Sequence, residues 1–124
     1  MRRALRCMVI AGLLIGATVT TATVARADAE DVTVKGEIVD LACYLYHDKR
    51  GPDHKACAVL CAKKGVPMGL LTEAGDVYLL VDDHQNPDPY DATKKLSGTN
   101  AEIKGKKVSK GGMTAIVVED AKGL

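Results

Sequence analysis

The chain has 124 residues, with 17 lysines and arginines against 16 aspartates and glutamates, 47% apolar residues, four tyrosines and neither Phe nor Trp. That length suits one small domain. A charge balance so close to neutral, with so few rings for stacking, excludes nucleic acid as a partner, because neither counterion release nor a stacking platform is available.

The first 27 residues read as a cleaved secretory signal peptide. Arg2, Arg3 and Arg6 make a basic start, residues 8–17 an apolar run, and Ala25-Arg26-Ala27 an A-x-A cleavage site. The apolar run is shorter than the roughly 20 residues a membrane span needs, so no stable span is expected after cleavage. Cys7 leaves with the leader. The remaining domain, 28–124, keeps 13 basic and 16 acidic residues, a net charge of 13 − 16 = −3. Its expected location is periplasmic or secreted. In such an oxidising compartment disulfides form, but the three remaining cysteines cannot all pair within one molecule.

"DVTVKGEIVDLACYL" (31–45) opens with alternation at Val32, Val34, Gly36 and Ile38, which predicts a half-buried strand bent at Gly36 and ending near Cys43. "GPDHKACAVLCAKKGVP" predicts a helix over about 54–64. Asp53 stands as its cap, Lys63 and Lys64 lie at its C-terminal end, Gly65 is its left-handed stop and Pro67 follows. Two apolar runs, 69–72 and 77–81, flank "EAGD" as a hairpin. A Pro-rich loop leads to a short helix over about 90–96, stopped by Ser97-Gly98. A second hairpin follows, with "KGG" near its turn and the β-branched run 115–118 after it.

Without the first helix, the order is β-β-β-α-β-β, with a long bent first strand. This order, with strands of the type "VKGEIVD" and "AEIKGKKV", resembles the small exported bacterial OB-fold domains over about 32–120. The resemblance implies a mainly β, five-stranded Greek-key barrel with one inserted helix, bearing Cys and His, and one short helix. Another small β-barrel topology is the alternative. The OB plan itself carries no function.

The candidate site lies in the insertion. His54, Cys57 and Cys61 recur at i, i+3 and i+7, on one stripe of a helix, and Cys43 completes a Cys3His set if the helix folds back onto the strand end. Thiolates with an imidazole suit a soft or borderline ion, copper or zinc. His47, Met68 and His84 are further donors nearby in sequence, and a thioether such as Met68 leans toward copper. The competing reading is a disulfide-stabilised OB-fold module that holds no metal and recognises a protein or small ligand. Cys43 would then pair with Cys57 or Cys61, since Cys57 and Cys61 share one helix with nearly parallel Cβ directions.

C-x3-C followed by Ala62 fits neither covalent haem attachment nor a thioredoxin motif. No Ser-His-Asp order, phosphate loop or calcium loop stands out. The sequence favours a metal- or metal-cofactor-binding protein over the stapled module, and either over an enzyme. Its partners are a metal ion or an exported protein, and no nucleotide cofactor is expected.

Overall fold

The alternating opening run forms β1 (Glu30–Asp40), eleven residues that serve two neighbours in turn. In the computed structural model, which describes residues 29–124, positions 30–37 of β1 pair antiparallel with β4 (Asn100–Lys110). Positions 37–40 pair antiparallel with β2 (Met68–Leu71). The change of partner falls at Gly36–Glu37. There the backbone comes so close to the neighbouring strand that a Cβ on Gly36 would run into the Leu71 carbonyl, so glycine fits where a side chain would not. The expected leader, with Cys7, lies outside the described residues.

β2 turns through Glu73–Asp76 into β3 (Val77–Val81), and β4 turns through Gly111-Gly112 into β5 (Met113–Gly123). β3 and β5 run parallel. The strand order β1-β2-β3-β5-β4 closes on itself through β1 and β4. This is the five-stranded, Greek-key plan of an OB-fold barrel. α3 (Asp88–Leu96) lies between β3 and β4 and packs on β5. It starts two residues before the expected 90, because Pro89 has no N–H to lose in the first turn of a helix.

With no Phe or Trp in the chain, the core is aliphatic. Ile38, Leu70, Leu80, Ile103, Ile116 and Val118 fill it, with Met68, Ala101 and Ala62. Each large aliphatic side chain buried this way contributes about 1.5–3 kcal/mol. Met68 is wholly inside, and its sulfur accepts from Thr93 Oγ1 (3.6 Å) and Ser97 Oγ (3.4 Å), which ties α3 to the barrel.

The insertion between β1 and β2 differs from the sequence expectation. It holds two α-helices rather than one. β1 ends at Asp40, and α1 (Leu41–His47) takes up the segment expected to continue the strand. A 3-10 turn (Pro52–His54) then leads into α2 (Lys55–Lys63). The expected cap Asp53 falls inside that turn; the cap position of α2 is His54, with no side-chain cap bond. The far end of α2 follows the expectation. Gly65 adopts φ 91°, Val66 N–H donates to Cys61 O and Gly65 N–H to Ala62 O, both at 3.1 Å, the pattern of a Schellman stop.

α2 reaches the barrel through small residues. Ala58 and Ala62 are its buried positions. Its start lies against Gly98, which holds φ 76° and donates its N–H to Ile38 O (2.7 Å); a Cβ there would sit 2.6 Å from Lys55 Cα. Gly98→Ala is expected to cost about 1–2 kcal/mol from the left-handed backbone alone. In a domain of this size that lowers Tm by at least about 4 °C, which thermal unfolding followed by circular dichroism would read. An unchanged Tm would mean that residue 98 does not hold the left-handed backbone.

Candidate metal centre

Three elements, α1, the 3-10 turn and α2, and one carboxylate build the site. Asp40 is the last residue of β1 and the N-cap of α1, and its Oδ1 accepts from Cys43 N–H at 2.8 Å. The cap starts the helix at the point where the strand leaves the sheet, and it places Cys43 in the first turn. α1 stops at Asp48, which takes the left-handed conformation (φ 51°), one that aspartate tolerates better than most residues. The chain then reverses through Lys49–Gly51. Gly51 N–H donates to the Glu37 carboxylate, which ties this turn back to β1. Pro52 opens the 3-10 turn, and α2 carries Cys57 and Cys61.

The result is a convergence of donors. Donor atoms of Cys43, His54 and Cys57 lie within 4.8 Å of one another, as do those of Asp40, Cys43 and Cys61. The two sets share Cys43. These groups can hold a metal ion. A tetrahedral ion with bonds of about 2.3 Å separates its ligands by about 3.8 Å, so closing such a set onto an ion takes shifts of roughly 1 Å or less. Cys57 is exposed, while Cys43, His54 and Cys61 are half-buried. The site therefore opens to solvent on the Cys57 side. All three cysteines are free thiols, and no disulfide is formed among the described residues.

The other sequence candidates stand apart from these two donor sets. Met68 is buried in the core with Thr93 and Ser97. His47 is the last residue of α1, exposed, with its ring edge-on to Tyr46. His84 is 95% exposed in the loop after β3, 3.7 Å from Asp82. Asp40, in contrast, is a residue that the sequence reading did not select. It is fully buried, and its Oδ2 lies 3.0 Å from His54 Nε2. Its position continues the inward alternation of Val32, Val34, Gly36 and Ile38, so a carboxylate at 40 falls on the buried face of the strand. That parity was the available signal.

The same carboxylate acts most strongly on Cys43. The Cys43 sulfur lies within 4.8 Å of the Asp40 carboxylate, and hydrogen bonding toward it, followed by burial and the carboxylate charge, pushes the thiol up from 9.0 to about 12. Burial, then a hydrogen bond with Cys57, raises Cys61. In neutral solution both thiols keep their protons until a cation displaces them, because the thiolate is the ligand form.

Comparison with family models, with curated proteins and with solved structures gives no match to this chain.

The folded chain holds the Cys43 proton more tightly than the unfolded chain does. The stability tied to that proton is complete below pH 9 and is lost as pH rises toward about 12. Alkylation needs the thiolate. In the metal-free Cys57→Ser/Cys61→Ser variant, modification of Cys43 by iodoacetamide is expected to be slow at pH 8. Its rate should still climb about tenfold per pH unit at pH 10. A rate that levels off near pH 9 would show that Asp40 does not hold this thiol.

Proposed function

We propose that this protein is an exported zinc-binding OB-fold protein whose ion is held by Cys43, His54, Cys57 and Cys61. The observation that carries the reading is the meeting of Cys43, His54 and Cys57 donor atoms within 4.8 Å, with Cys61 joined to the same group through Cys43. Three sulfurs and one imidazole nitrogen form a complete tetrahedral zinc set. Copper is the second ion such donors suit, but the reason to favour it was a thioether. Met68 turns its sulfur to Thr93 and Ser97 in the core instead. Zinc also leaves thiolates unoxidised, since it has no redox chemistry of its own. Export to the periplasm or beyond rests on the leader pattern of residues 1–27.

The charge pattern supports a partner other than nucleic acid. Two of the four lysines of β4 face carboxylates, Lys106 at 2.6 Å from Asp31 and Lys107 at 2.7 Å from Glu30, and Glu102 of β4 takes Lys35 of β1 at 3.6 Å. Lysines paired in this way make a weaker phosphate-binding stripe than free ones.

A second reading has one observation in its favour. The Cys43 sulfur lies within 4.8 Å of the Cys57 sulfur and of the Cys61 sulfur, near enough for side-chain shifts to close either disulfide at about 2.05 Å. The protein would then be a stapled binding module without metal, with the other helix cysteine as its free thiol.

Metal analysis and thiol titration on protein isolated from the exported compartment separate the two. The zinc reading expects one zinc per chain, thiols that react only after chelation, and loss of stoichiometric binding in Cys43→Ser and in Cys57→Ser. Free zinc at a hundred times Kd should stabilise the fold by about 2.7 kcal/mol. One free thiol per chain, a bond from Cys43 to Cys57 or Cys61 and no zinc would reject the metal reading in favour of the stapled module.

A further inference from the structure

The zinc reading accounts for the cysteines and His54 but leaves Asp40 without a role. Asp40 is fully buried. Its Oδ1 takes the Cys43 N–H at 2.8 Å, and its Oδ2 meets His54 Nε2 at 3.0 Å. One carboxylate thus touches two of the three elements that deliver donors, α1 through Cys43 and the 3-10 turn through His54. A carboxylate facing a ring nitrogen needs a proton between them. A neutral imidazole has one N–H and one lone pair. With Nε2–H given to Asp40, the lone pair lies at Nδ1.

We propose that Asp40 is the positioning residue of the metal site. It holds His54 in the Nε2–H tautomer, so that Nδ1 is the nitrogen offered to the ion, and its cap on α1 fixes Cys43 at the same time. This rests on the zinc reading and adds to it the nitrogen that binds and the group that selects it. Carboxylates bonded to the far nitrogen of a ligating imidazole fix ring orientation in this manner, and losing one weakens metal binding by about ten- to hundredfold.

The alternative is that Asp40 is only a helix cap, and Asp40→Asn separates the two roles. Asparagine caps as well as aspartate. If its Oδ1 keeps the Cys43 N–H, its amide N–H2 faces His54 and can only donate. The ring must then accept at Nε2 and carry its proton at Nδ1, where it blocks ligation. The experiment combines zinc competition titrations with 15N spectra of the His54 ring, on wild type and on Asp40→Asn. The expected result is one zinc per wild-type chain, bound at Nδ1. In the variant, affinity should fall about ten- to hundredfold, and the metal-free ring should change from Nε2–H to Nδ1–H. A variant that binds zinc as wild type does, with its tautomer unchanged, overturns the role of Asp40 and leaves the zinc reading standing. Wild type that takes up no zinc overturns both. The ring assignment in zinc-loaded wild type needs no variant, so it decides even if Asp40→Asn fails to fold: coordination through Nε2 would reject the proposal.

Discussion

A carboxylate buried at the mouth of a small barrel is costly unless its oxygens are satisfied. Asp40 is such a group, at 0% exposure, and the local structure is arranged around satisfying it. One oxygen needs a backbone donor, which a helix beginning at once supplies through Cys43 N–H. The other needs a side-chain donor, which the chain supplies by returning fourteen residues later with His54. The strand must therefore end, a helix must start, and the loop must double back. Two of these three consequences bring a donor of the candidate metal centre to the same point.

A second carboxylate on the same strand supports that return. Glu37 accepts from Gly51 N–H, which holds the turn before α2 to the edge where β1 changes partner. Glu37 sits between β4 and β2 in register, opposite Asn100 and Leu71. Gly98 then admits the start of α2 by having no Cβ to meet Lys55. The barrel and the insertion are thus linked at three places within a few residues, all near the end of β1. The OB plan provides the closed frame, and the Cys/His positions depend on polar ties specific to this strand end.

The barrel was legible in the sequence because its signals are local and repeated. Alternation at Val32, Val34 and Ile38, a glycine at the bend, two turn-forming stretches and a helix stop at Gly65 each report one element, and together they fix an order. The inserted helix was legible through its ends, apart from the cap. α1 was not legible. "LACYLYH" is seven residues of mixed apolar and aromatic type, too short for helical periodicity to separate from a continuing strand. What decides it is Asp40, whose role as a cap depends on being buried where water cannot compete for it. His54 was legible as a donor on the stripe with Cys57 and Cys61. Its partner was not, because the contact joins positions 40 and 54, and spacing along one element says nothing about such a pair.

The insertion itself has little apolar support. α1 buries no residue, and α2 buries only Ala58 and Ala62, two of the smallest side chains that can form a contact. Leu45, Tyr46 and Leu60 are exposed, and Leu41, Tyr44 and Val59 are only half-buried. Burial on this scale contributes far less than the conformational entropy of ordering some two dozen residues. Hydrogen bonds to Asp40 and Glu37 offset part of the difference, each by about 1.5–3 kcal/mol for a charged acceptor. On the zinc reading, the ion supplies a further share, since a metal bound only by the folded arrangement adds its binding free energy to folding. Small domains short of core commonly depend on such a cross-link. The ion would then act where the core is thinnest, between α1 and α2, and the barrel, whose aliphatic core is complete without it, would keep its fold when the metal is removed.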